Sequence, residues 1–151
     1  MPGSGPQHIL ETAIYATDLE AADTFYGDLL QLEEVLREEG RHVFYRCGNS
    51  MLLVFNPSVT MTAAADADAA PAHGSFGQGH VCFAATAEEM EVYRQRMQRA
   101  GVPVEKDIEW PNGARSMYVR DPAGNSVEFA EARLWNLPSG SGSGTGQVRH
   151  K

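Results

Sequence analysis

The chain has 151 residues, enough for one domain with a sizeable core or for two small modules that share one. Its net charge of −8 excludes polyanions such as nucleic acid, and anionic membrane surfaces, as partners. With 42% hydrophobic and 21% charged residues it has the balance of an ordinary globular protein, and no apolar run reaches membrane-spanning length. The opening Met-Pro-Gly-Ser-Gly-Pro does not read as a signal peptide. Cys47 and Cys82 make no disulfide framework, which points to reduced thiols in a cytoplasmic protein.

Residues 7–16 read as a strand. Leu10, Thr12, Ile14 and Ala16 form one face, and Ile9, Glu11, Ala13 and Tyr15 the other. Both faces are mostly apolar, so the strand is expected to be covered on both sides, and Glu11 stands out. Thr17 or Asp18 can cap a helix, with Glu20 in its positive first turn. Leu19, Ala22, Phe25, Tyr26, Leu29 and Leu30 recur at helical spacing up to about Gln31. Residues 32–37 and 41–46 read as strands joined by a turn at Glu39-Gly40, and 50–55 as an apolar strand. The first half is β-α-β-β-β.

Residues 56–76 hold Pro57, Pro71 and an alanine-rich run, a composition that marks a mobile connecting loop placed to cover a cleft. The pattern then repeats. Residues 79–85 read as a strand. Thr86 to Glu89 is a capping box ahead of a helix that Gly101 closes. Residues 102–110 form a strand and Pro111-Asn112-Gly113 a turn. The last hairpin turns at Asp121-Pro122-Ala123-Gly124-Asn125, which sets Tyr118 opposite Glu128 and Arg120 opposite Ser126, so Ser116, Tyr118, Arg120, Ser126 and Glu128 share a face. The expected fold is α+β: two βαβββ modules forming a half-barrel sheet around a central cleft, helices outside. The divisions are 1–6 as a flexible N-terminus, 7–56 and 78–135 as the modules, 57–77 as the connecting loop, and 136–151 as a flexible Gly/Ser-rich tail.

Three polar residues fall in strands where they can share that cleft: Glu11, His80 and Glu128. One imidazole and two carboxylates suit a divalent ion such as Mn, Fe, Ni or Zn, and carboxylates also serve as general bases. Taken singly, each is more often a core or solvated residue. Tyr118 can donate a hydrogen bond to a bound oxyanion, or be a core aromatic. Arg46 and Arg115 can hold an anionic substrate, though surface arginine is commoner. Cys82 reads as a small buried thiol rather than a nucleophile. His42, Phe44, His73, Phe76 and Trp110 can line or cover the cleft, and His8 and His150 receive no role.

The double βαβββ layout, the run from Tyr15 through Leu30, Gly79-His80-Val81, and Asp121-Pro122-Ala123-Gly124-Asn125-Ser126-Val127-Glu128 together resemble the vicinal oxygen chelate superfamily of glyoxalases, bleomycin resistance proteins and extradiol dioxygenases. The resemblance covers about 7–134. It implies a lyase or oxidoreductase that chelates two adjacent oxygens of a small molecule on a divalent metal, or a metal-free binding protein that sequesters a small ligand, and commonly a homodimer. It puts His80 and Glu128 on ligand positions, with Glu11 a less usual third, and Glu11, Glu128 and Tyr118 in catalytic roles. Leu52 falls near the fourth-strand position where glyoxalase I has glutamate, so a three-ligand set is implied.

Overall fold

A computed structural model describes residues 3–139. The tail assigned to 136–151 lies mostly outside them. In the first module, β1 (Glu11–Tyr15), β2 (Glu33–Glu38), β3 (His42–Cys47) and β4 (Ser50–Phe55) form a sheet in the order β1-β4-β3-β2. In the second, β5 (His80–Ala84), β6 (Lys106–Glu109), β7 (Arg115–Arg120) and β8 (Ser126–Ala130) repeat that order as β5-β8-β7-β6. In each sheet the first strand runs parallel to the last and the other neighbours are antiparallel. The fold is α+β with two βαβββ modules, and the mixed sheets do not close into a barrel.

Local chemistry explains the helices. Asp18 caps α1 (Leu19–Asp23) by accepting from the Ala21 amide at 3.0 Å. The chain then widens into a π stretch over Thr24–Leu29, which Gln31 ends with a positive φ of 60°. Gly27 is required in that stretch: a Cβ there would lie 2.5 Å from Asp23 Oδ1, a carboxylate already accepting from Tyr45 and Arg37. Thr86 caps α3 (Ala87–Arg99) through the Glu89 amide. The connecting segment, expected to be a mobile loop, opens with a short helix, α2 (Pro57–Thr60): Asn56 caps it, Pro57 suits the first turn, and both Pro57 and Thr60 are buried.

Alternation divides each sheet into two faces. Ile14, Val43, Tyr45, Leu52 and Val54 of the first sheet, and Met117, Val119, Val127 and Phe129 of the second, join Phe25, Tyr26, Met90 and Met97 of the helical segments in one continuous core. The opposite faces carry Glu11, Phe44, Leu53 and Phe55 in one module, and His80, Cys82, Tyr118 and Glu128 in the other. The first strand is not covered on both sides as its apolar pattern suggests. It is a sheet edge, Glu11 and Ala13 are exposed, and Ile9 and Leu10 ahead of it stand 77% and 73% exposed.

Candidate metal centre

The β7–β8 hairpin builds the site. Asp121 accepts from the Asn125 amide at 2.8 Å and closes the turn, so Tyr118 stands opposite Glu128. Glu128 in turn stands opposite Cys82 of β5. The Asn125 side chain accepts from the Gly79 amide at 2.7 Å, which fixes the backbone next to His80.

His80 Nε2 lies 3.3 Å from Glu128 Oε1. The imidazole is half exposed, whereas Glu128 is only 6% exposed. His80 Nδ1 lies 3.1 Å from the Ser126 carbonyl oxygen. A carbonyl oxygen only accepts, so Nδ1 carries the proton. In the neutral ring Nε2 then presents a lone pair to a carboxylate oxygen. Two acceptors facing each other need a cation between them, either a proton or a metal ion, and an imidazole nitrogen with a carboxylate oxygen makes two of the donors a divalent metal takes.

Around the pair, the Tyr118 ring stacks on His80 with centroids 6.4 Å apart. Burial raises the Tyr118 pKa and the Glu128 charge adds to it, so the phenol stays a donor. Cys82 is exposed as a residue because β5 is a sheet edge, which differs from the buried thiol expected. Its sulfur nevertheless has its pKa pushed up to about 12 by local burial and then by Glu128. Ser116 donates to Glu128 Oε2 at 2.6 Å and accepts from Trp110 Nε1 at 2.8 Å. The sequence placed Ser116 on this face without giving it a role.

Glu11 does not join this pair within the chain. It lies exposed on the edge strand of the other sheet, and among the described residues no group of three His, Cys, Asp or Glu side chains is placed to hold a metal ion. The registers show which residues correspond. Glu11 opens β1 as His80 opens β5. Leu53 stands between Ala13 and Phe44 as Glu128 stands between Cys82 and Tyr118. The apolar counterpart of Glu128 is therefore Leu53. Leu52 points into the core on the other face.

The first module's face is aromatic instead. His42 stacks on Phe44 at 4.1 Å, and Phe55 meets Phe44, His42 and His73 edge-on. The Tyr15 hydroxyl lies 2.9 Å from His73 Nδ1, which brings the end of the connecting loop onto this face. Phe76 stays 64% exposed. Arg46 is paired with Glu33, and Arg115 lies on the face opposite Ser116 and Tyr118, so neither reaches His80 and Glu128. A surface cavity of about 400 Å³ at the start of α3, lined by Thr86, Glu88, Glu89, Glu131 and Arg133 among others, is separate from the pair.

A family model described as the Glyoxalase/Bleomycin resistance protein/Dioxygenase superfamily matches residues 7–129. No curated protein matches the chain. A solved structure of lactoylglutathione lyase from Agrobacterium tumefaciens is 47% identical, covers 89% of this chain and 100% of its own, and superposes with a TM-score of 0.83. A putative glyoxalase family protein from Bacillus anthracis is 22% identical over 85% of this chain and 98% of its own, with a TM-score of 0.64. A glyoxalase / bleomycin resistance protein from Catenulispora acidiphila is 18% identical over 82% and 96%, with a TM-score of 0.58. The last two show the fold alone.

Proposed function

Because the chain belongs to the glyoxalase, bleomycin resistance protein and dioxygenase superfamily, we propose that it is a cytoplasmic, metal-dependent enzyme acting on a small molecule held through two adjacent oxygens. The observation that carries this reading is the pair of facing acceptors, His80 Nε2 and Glu128 Oε1, on a face that opens to solvent at His80. His80, Glu128 and Glu11 would hold the ion. Glu11 belongs to the other sheet and is exposed, so the third ligand comes from a second copy of the chain in a homodimer.

An Mn, Fe, Ni or Zn ion so held supplies Lewis-acid stabilisation to negative charge developing on a substrate oxygen. The residues of the chain do the rest. Tyr118 donates a hydrogen bond to the oxyanion. A Glu128 or Glu11 carboxylate accepts the proton lost from the substrate carbon. The 47% identical structure makes lactoylglutathione the first substrate to try, with catechols as the dioxygenase comparison.

The aromatic cluster of His42, Phe44, Phe55 and His73, with Leu53 in place of a carboxylate, favours a second reading. In it the protein is a metal-free binder that sequesters a small apolar ligand. One experiment separates the two: strip the purified chain with a chelator, reload it with each metal in turn, and follow lactoylglutathione and catechol consumption. Turnover that returns with one metal supports the enzyme. Failure to take up any metal, with no turnover, leaves the binder.

A further inference from the structure

We propose that Ser116 and Trp110 are positioning residues that fix which Glu128 oxygen is offered to the ion. This rests on the metal-centre reading above and adds to it two residues that bind nothing themselves.

The direction of each bond follows from the atoms. An indole N–H can only donate, so the 2.8 Å contact from Trp110 Nε1 occupies Ser116 Oγ as acceptor. The Ser116 hydroxyl proton is then directed to Glu128 Oε2 at 2.6 Å, a short bond of the kind a charged carboxylate makes. With Oε2 committed, the carboxylate is held in one orientation and Oε1 is the oxygen turned to His80 Nε2. Ser116 is 1% exposed and Glu128 6%, so water does not compete for these bonds.

The turn after β6 aims the indole. The Trp110 amide donates to the Ala114 carbonyl and its own carbonyl accepts from the Gly113 amide, each at 2.8 Å. Gly113 takes the positive φ of 83° that this turn requires. Arg133 clamps the turn by donating to the Gly113 carbonyl at 2.7 Å.

The first module supplies an internal comparison. His42 occupies the register position of Ser116, opposite Phe55 as Ser116 is opposite Ala130. There the carboxylate is replaced by Leu53, and His42 Nδ1 is buried without a hydrogen-bond partner. The hydroxyl relay is present in the module that has the carboxylate to orient and absent from the one that lacks it.

The test is a cobalt(II) titration of the whole purified chain, followed by visible absorption, for the parent, Ser116→Ala, Trp110→Phe and the double variant. Removing an orienting partner costs about 10–100-fold in metal affinity, and this is expected of Ser116→Ala. Trp110→Phe keeps the hydroxyl and loses less. The double variant binds no more weakly than Ser116→Ala, because Trp110 acts only through Ser116. Two residues that merely support packing would instead give losses that multiply, and that result overturns the proposal. So does a Ser116→Ala affinity equal to the parent's. Should Ser116→Ala not fold, Trp110→Phe decides alone, and unchanged cobalt affinity overturns the proposal. If the parent takes up no cobalt, the metal-centre reading falls and this inference with it. A parent that binds beside a Ser116→Ala variant that binds equally well removes the inference only.

Discussion

The Tyr26 hydroxyl, in the first module's helical segment, donates to Asp121 Oδ2 in the second module's hairpin turn at 2.7 Å. Both residues are buried, and burial together with the Asp121 charge holds the Tyr26 pKa well above the usual tyrosine range. The phenol therefore stays a donor at every pH the protein meets. Tyr26→Phe leaves a buried carboxylate one donor short. It should destabilise the fold by about 1.5–3 kcal/mol, the worth of a hydrogen bond to a charged group. Urea unfolding of parent and variant reads this directly.

Asn125 joins three segments through one side chain. Its Nδ2 donates to Asp121 Oδ2 at 2.9 Å and to the Tyr15 carbonyl at 3.1 Å, and its Oδ1 accepts from Gly79. Asn125→Asp would put a second acceptor where both Nδ2 bonds are donated, beside an existing buried carboxylate. A loss of about 3 kcal/mol or more is expected, as for other uncompensated buried charges. Because Gly79 precedes His80, metal uptake should fall in the same variant. A variant of parental stability contradicts this account of the turn.

His42 makes stability depend on pH. Burial lowers its pKa below the ordinary imidazole range, Glu38 opposes this in part, and Arg41 adds to it. The ring packs on Phe44 and Phe55, and the Glu38 carboxylate, 4.0 Å from Nδ1 and mostly exposed, offsets the burial only in part. The folded chain thus prefers the neutral ring. The associated stability is present above about pH 6.5 and is lost as pH falls, because the unfolded chain takes the proton first. His42→Phe should flatten the fall in melting temperature between about pH 6.5 and 5. An unchanged slope would show that the ring is protonated as easily in the folded protein.

Cys82 should be a slow nucleophile despite its exposed position. With its pKa pushed up to about 12, the thiolate fraction at pH 8 is roughly one in ten thousand. Alkylation by iodoacetamide, read site by site by mass spectrometry, should be far slower than for a free cysteine. In the chelator-stripped chain, Glu128→Gln removes the charge that adds to the shift, so Cys82 should react faster there.

The hairpin was legible because its determinants are local. Turn chemistry at Asp121–Asn125 and a side-chain period of two suffice to set Tyr118 opposite Glu128. What depends on long-range pairing was not. The parallel register of β1 against β4 makes Leu53 the counterpart of Glu128, whereas the family resemblance points near Leu52. The exposure of β1 and β5 follows from their edge places in the sheet order, which no apolar pattern reveals. The helix at Pro57–Thr60 had a signal, Asn at the cap and Pro at the first position, that the surrounding alanines obscured. Trp110 and Ser116 both alternate onto the site face, but their contact depends on side-chain rotamers across a hairpin.

The metal-centre proposal stands or falls with His80 and Glu128 as ligands of a divalent ion. Elemental analysis of the purified chain, expressed with added Mn, Fe, Ni and Zn, tests it against His80→Ala, Glu128→Gln and Cys82→Ala. Stoichiometric metal is expected in the parent and in Cys82→Ala, and its loss in the other two. Full metal content in His80→Ala and Glu128→Gln, or none in the parent, would contradict it.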